Sequence, residues 1–160
     1  MKKNLSLLLA VLILIIIGYF YKKYKTVPSL PTYQHTLLNE KGEQINLTEF
    51  KGTYLLVSYF QTWCGDCIEE LASIDALQSK VGKHKLSILM ISDEPFEKIM
   101  RFKEKYCKTL DFYQTSKNLR QQKISVFPTT YLLNDKGEVI MSKLNVFDWD
   151  SEEVIAKIIK

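Results

Sequence analysis

Two cysteines three residues apart, Cys64 and Cys67, stand where the apolar run from Tyr54 to Phe60 gives way to a pattern of helical period. No other stretch restricts the fold as strongly. Thiols at this spacing come within disulfide reach, with Cβ atoms about 3.5 to 4.5 Å apart, when they share the first turn of a helix. The run before them is apolar enough for a central strand buried on both faces. The sequence therefore predicts strand, sharp turn and helix, with Cys64 at the helix N-terminus. Unpaired backbone N–H groups and the positive end of the helix dipole would favour a thiolate there. Cys67 lies one turn deeper and should be less accessible. That asymmetry suits an attacking thiol at Cys64 and a resolving thiol at Cys67.

A chain of 160 residues with 46% hydrophobic and 12% aromatic residues can bury a conventional core and carry an appendage. Its formal charge of +4 is misleading. Five of the 22 Lys and Arg fall in residues 1–25, which hold no acid, so the remainder carries 17 basic against 18 acidic residues. These charges are dispersed, which argues against a nucleic-acid partner.

Leu5 to Phe20 is an almost unbroken apolar stretch between Lys2-Lys3 and Lys22-Lys23. Bulky Tyr19, Phe20 and Tyr21 stand at its end, where a signal peptidase would need small residues, so residues 1–25 are expected to stay as a signal anchor and transmembrane helix. Tyr19, Tyr21 and Tyr24 would sit at headgroup level. A cleaved signal, leaving a secreted form, or a buried core helix is the alternative. Lysine counts on the two sides nearly tie and do not set the orientation. The redox argument does: a cycling dithiol works where disulfides persist, which places the domain on the extracytoplasmic side of a bacterial membrane.

Residues 26–32, with Pro28 and Pro31, read as a short stiff linker to a domain spanning 33–160. Tyr33 to Leu38 and Gln44 to Leu47 flank a turn at Asn39–Gly42 and form a β-hairpin, with a helical turn at Thr48–Phe50. Cys64 to Val81 places Cys67, Leu71, Ile74, Leu77 and Val81 on one helical face, ending near Gly82. Leu86 to Ile91 is a strand and Pro95 to Cys107 a helix, so a parallel βαβ unit with a right-handed crossover is expected. A short helix over Ser116–Lys123 follows. Pro128–Leu133 and Glu138–Leu144 form a second hairpin, and Glu152–Ile159 a closing helix with Ser151 as N-cap.

A strand leading into Trp63-Cys64-Gly65-Asp66-Cys67, then a βαβ unit, then Val126-Phe127-Pro128-Thr129-Thr130 before a hairpin resembles the thioredoxin superfamily. Within it the chain looks most like the membrane-anchored TlpA/ResA-like thiol-disulfide oxidoreductases. The resemblance covers roughly residues 33–160. It implies an α/β thioredoxin-like fold: a central mixed β-sheet flanked by helices, an N-terminal β-hairpin and an N-terminal membrane helix. It also implies that Pro128 is a cis-proline facing the cysteine pair. There a cis peptide would leave polar backbone groups free for an extended substrate segment; a trans proline at a strand entrance is the alternative. Phe127 and Thr129 would join Pro128 in contacting substrate. Trp63 would shield the disulfide and meet partners, unless it serves aromatic packing alone.

Glu70, three residues past Cys67, matches the acid that this family carries near its cysteines and becomes the candidate proton acceptor for Cys67. A Glu in a helix's first turns is more ordinarily solvated. Thioredoxins proper place an Asp where Ser58 stands, so their proton relay does not transfer. Asp66 is a second departure, since an acid beside the pair disfavours a Cys64 thiolate and tilts the chain toward a reductant. The implied activity is extracytoplasmic exchange of disulfides with protein substrates, fed by a membrane electron donor of thiol-reductase type. No cofactor beyond the Cys64–Cys67 disulfide is expected.

A thiol oxidant is one alternative. Another is a copper or zinc carrier, but only His35 and His84 could join the cysteines and neither has metal-motif spacing, so no metal ligand is assigned. A peroxidase would need Thr-x-x-Cys and a supporting Arg, and Thr62-Trp63-Cys64 lacks that spacing. Cys107 has no nearby cysteine and reads as a small buried residue or a free thiol.

Overall fold

The computed structural model describes residues 2–25, 27–30 and 36–159, with side chains in the first helix described only from 9 to 21. That helix, α1, spans Lys2–Lys25. Its described apolar side chains, from Leu9 to Phe20, are exposed. Among the described residues no helix is long and apolar enough to cross a membrane. The side chains of Tyr24 and of the lysines in α1, together with Pro31 and the expected strand residues Tyr33 to His35, lie outside what is described.

Strands β1 (Thr36–Leu38) and β2 (Gln44–Asn46) form the expected hairpin. Asn39 builds its turn, accepting on Oδ1 from the backbone N–H groups of Lys41 and Glu43, both at 2.9 Å. After a 3-10 turn at Leu47–Phe50 come β3 (Tyr54–Tyr59), α2 (Gly65–Val81) and β4 (Leu86–Ser92). They are followed by α3 (Phe96–Tyr106), β5 (Asp111–Thr115), β6 (Thr129–Leu133), β7 (Val139–Leu144) and α4 (Glu152–Ile159). The 7-stranded sheet runs β2-β1-β5-β4-β3-β6-β7. β3, β4 and β5 are parallel, and β1, β6 and β7 complete a mixed sheet through antiparallel pairs.

β3 shows why its sequence reads as an unbroken apolar run. Leu56 and Phe60 enter a core with Leu71, Ile74 and Leu77 of α2, Ile99 and Phe102 of α3, and Val154 and Ile158 of α4. Leu55, Val57 and Tyr59 point the other way, into a second core with Leu89, Ile91, Tyr131 and Leu133. Alternation puts neighbours on opposite faces, and here both faces are apolar.

The structure departs from the sequence reading at four places. β5 was not foreseen; it inserts Phe112 into the first core and Tyr113 into the second. The helix expected over Ser116–Lys123 is instead an irregular turn. Lys123 adopts a left-handed φ of 67° and the Ile124 N–H reaches back to the Leu119 carbonyl at 2.9 Å. That closes the loop so that Leu119 and Ile124 both bury completely, a geometry a continuing helix would forbid. The expected linker does not stand clear of the domain either. Val27 and Leu30 pack against the second core, and Tyr131 Oη donates to the Pro28 carbonyl at 2.8 Å. With Leu47 they close a sheet face on which, among the described residues, no α-helix joins the core. At α4, Ser151 accepts from Val154 and Ile155 through its carbonyl, but its hydroxyl makes no capping bond.

If the turn at Leu119–Ile124 seals this second core, Leu119→Ala should destabilise the protein by about 2 to 5 kcal/mol in urea denaturation. A change under about 1 kcal/mol would show that the turn is not part of the core.

Candidate active site

The chain leaves β3 through a turn gripped by two acids from the end of β4. Gln61 donates from Nε2 to Asp93 Oδ1 at 2.6 Å, while Thr62 donates from its backbone N and Oγ1 to Glu94 at 2.5 and 3.0 Å. Asp93 also accepts from the Leu119 N–H at 2.9 Å, tying in the irregular turn. Neither acid was singled out in the sequence, although both follow directly on the strand parallel to β3.

Held this way, Cys64 becomes the N-cap of α2, its Sγ accepting from the Cys67 N–H at 3.1 Å. The two cysteines are disulfide-bonded with Cα atoms 5.3 Å apart. Both are buried, Cys64 at 5% exposure and Cys67 at 2%, so the expected difference in access is small in the oxidised chain. Trp63 next to them is 68% exposed, and its ring meets the Phe127 ring edge-on with centroids 6.1 Å apart. Gln61, Trp63, Asp93, Arg120 and Phe127 line a cleft of about 200 Å³ at this corner.

The Phe127–Pro128 peptide is cis. Thr129, next in the chain, pairs with Tyr59 across the β3–β6 ladder, which brings this segment to the strand end that precedes the cysteines. Thr129 is fully buried, its side chain donates to the Val126 carbonyl at 2.6 Å and its backbone lies in the ladder between β3 and β7, so it offers a substrate no open surface in this structure.

Glu70 is not the solvated helix residue that its position allows. It is 1% exposed, on the buried side of α2 with Cys67 one turn before it. Trp149, fully buried, donates from Nε1 to Oε1 at 2.9 Å. Thr130 Oγ1 lies 3.0 Å and Ser58 Oγ 3.5 Å from Oε2, and the two hydroxyl oxygens are 2.9 Å apart. Burial pushes the carboxyl up from its ordinary 4.5 to about 7, against the pull of these hydrogen bonds and one from the Phe147 backbone. Ser58 drew notice only as a departure. Thr130 and Trp149 carried no signal, since one belongs to an apolar strand and the other lies 79 residues from its partner.

Asp66 is exposed, so its charge reaches the cysteines through solvent. Cys107 is a free thiol, partly buried, with Sγ 3.2 Å from Thr109 Oγ1. Among the described residues, no group of three His, Cys, Asp or Glu side chains could hold a metal ion, and His35 lies outside them.

The model of a family described as AhpC/TSA matches residues 29–154. The chain belongs to the AhpC/TSA family. The thioredoxin-like protein YneN of Bacillus subtilis is 30% identical over 103 residues, 61% of this chain and 60% of its own length. The thiol-disulfide oxidoreductase ResA of Bacillus thuringiensis subsp. konkukian is 26% identical over 155 residues, 88% of each chain. Two solved structures share the thioredoxin-like fold. A thiol:disulfide interchange protein from Bacteroides sp. matches with a TM-score of 0.70 at 19% identity, over 84% of this chain and 93% of its own. StoA from Bacillus subtilis matches with a TM-score of 0.62 at 20% identity, over 81% and 98%. With its cysteine pair at the helix start, the chain is a thiol-disulfide oxidoreductase of this thioredoxin-like kind.

The carboxyl of Glu70 also links stability to pH. The folded chain holds this proton up to about pH 7 and the unfolded chain only to about 4.5. Between those values the folded state binds more protons, so stability falls as pH rises through the window. The added stability is complete below the lower value and gone above the upper one, roughly 3 kcal/mol in all. Glu70→Gln should flatten this slope in urea denaturation series; the same slope in wild type and variant would contradict the burial of an ionisable Glu70.

Proposed function

We propose that the chain is a membrane-anchored, extracytoplasmic reductant of protein disulfides, with Cys64 as the attacking thiol, Cys67 as the resolving thiol and Glu70 as proton acceptor for Cys67. The observation that carries this reading is the buried Glu70 carboxyl one helical turn behind the cysteine pair, with its proton affinity raised to about neutral pH.

In the working cycle the reduced chain meets a substrate disulfide at the exposed Trp63 and the half-buried Phe127, beside cis-Pro128. Cys64 thiolate attacks one substrate sulfur, forming a mixed disulfide and expelling the first substrate thiolate. Cys67 gives its proton to Glu70 and attacks Cys64 Sγ, which expels the second thiolate. Two electrons have then passed to the substrate, and Cys64–Cys67 is again a disulfide. A membrane dithiol donor of thiol-reductase type restores the thiols by the reverse exchange. No further cofactor takes part.

Asp66 supports the reductant direction by opposing a thiolate at Cys64, with a magnitude limited by its exposure. The exposed apolar face of α1 supports anchoring, since water gives such side chains no partner. The dithiol itself supports an oxidising compartment.

In the native host, Cys67→Ser should accumulate proteins disulfide-linked to Cys64, whereas Cys64→Ser should capture none. Equal, empty lanes from both variants would remove protein disulfides as substrates. A cysteine-alkylating reagent that cannot cross membranes should label Cys64 of the reduced chain in intact or outer-membrane-permeabilised cells. Labelling only after lysis would place the domain on the other side.

A further inference from the structure

Glu70 is buried among groups whose hydrogen-bonding capacities differ, and that difference has consequences for where a proton can sit. An indole N–H only donates, whereas a hydroxyl carries one proton and two acceptor sites. Trp149 Nε1, fully buried, is committed to Oε1 at 2.9 Å. The protonated oxygen of a carboxyl group is its poorer acceptor, so a proton on Oε1 would weaken a bond that has no alternative partner. Oε2 instead faces Thr130 Oγ1 at 3.0 Å and Ser58 Oγ at 3.5 Å. Thr130 has a single proton and two neighbours within reach, Oε2 and, at 2.9 Å, Ser58 Oγ.

We propose that Trp149 fixes the Glu70 proton to Oε2, and that the Thr130 and Ser58 hydroxyls reverse direction to serve both charge states. With the carboxyl ionised, Ser58 donates to Thr130 and Thr130 donates to Oε2. With it protonated, the Oε2 hydroxyl donates to Thr130 and Thr130 donates to Ser58. No heavy atom moves, and the contact between Glu70 and Thr130 is kept in both states, so neither state leaves a buried polar atom of that pair without a partner. Ser58 and Thr130 stand directly opposite in the β3–β6 ladder, so the pair is fixed by strand register. Charged side chains on the surrounding elements include Asp66, Glu69, Asp75 and Lys80 on α2, Lys143 on β7, and Asp148 and Asp150 beside Trp149. The causes acting on Glu70 are burial, which raises its proton affinity, and hydrogen bonds from Trp149, Thr130, Ser58 and the Phe147 backbone, which lower it. Trp149, Thr130 and Ser58 are positioning residues, and their assignment deepens, and rests on, the reading of Glu70 as proton acceptor.

The test follows the side-chain carboxyl carbon of Glu70 by NMR across pH in the oxidised, detergent-solubilised full chain, with Glu70→Gln assigning the signal. Removing a donor that favours the charged form should make Trp149→Phe bind the Glu70 proton about tenfold more tightly or better. Thr130→Val should move the midpoint less, yet lower stability both below and above it, because a hydroxyl serving both states is lost from both. Thr130→Ser should restore the wild-type midpoint and stability. An unmoved midpoint in Trp149→Phe, or a Thr130→Val cost confined to pH above the midpoint, would overturn the proposal. If Trp149→Phe does not fold, the two Thr130 variants decide. Disulfide-exchange rates on the same samples keep the two readings apart. A Glu70→Gln exchange rate that follows the wild-type pH profile would remove Glu70 as proton acceptor, while the carbon titration would still judge the hydrogen-bond assignment.

Discussion

The register of β3 against its two neighbours is the constraint on which the rest of this site depends. Its parallel pairing with β4 sets Tyr59 beside Ile91, and two residues further on Asp93 and Glu94 close over Gln61 and Thr62. Its antiparallel pairing with β6 sets Ser58 opposite Thr130 and Tyr59 opposite Thr129, the residue after cis-Pro128. A slip of β3 by one residue would turn Ser58 to the other face and part it from Thr130 and the Glu70 carboxyl. The slip would also exchange two apolar faces, Leu56 and Phe60 against Leu55, Val57 and Tyr59, whose partners differ in shape. Packing over the whole sheet therefore holds the geometry of a few polar atoms.

Within that frame two effects of opposite sign act on Glu70. Hydrogen bonds to a carboxylate favour its charged form, each by about 1.5 to 3 kcal/mol for a charge-assisted bond. Burial disfavours the charge and here is the larger effect, because the donors to Glu70 among the described residues, Trp149, Thr130, Ser58 and the Phe147 backbone, are all neutral. The outcome is an acid that can take or give a proton near neutral pH. An Arg or Lys among the donors would have fixed it as a permanent anion.

Much of this was legible in the sequence because short-range patterns carry it. The strand into Trp63-Cys64, the amphipathic face from Cys67 to Val81, the two hairpin turns at Asn39 and Asn134, and the proline of Val126-Phe127-Pro128 each depend on neighbours within a few residues. β5 escaped notice because Asp111 to Thr115 is short and lies against a charged helix end, its Phe112 and Tyr113 serving opposite cores. The Ser116–Lys123 segment has helical composition, yet Leu119 and Ile124 gain more by burying together than a helix would return. Trp149 was invisible as a partner of Glu70 because no local pattern links residues so far apart. A buried indole N–H announces that it needs an acceptor, but only the fold says which.

The account's central claim is that a buried acid behind the disulfide takes the proton that Cys67 must lose. Its most direct test is the single-turnover rate at which Cys67 resolves a preformed mixed disulfide on Cys64, followed across pH in wild type and Glu70→Gln. Wild type should show a rise in rate as pH passes about 7, where the Glu70 carboxyl becomes ionised, and the variant should lose that rise. The same rise in both proteins would contradict the claim.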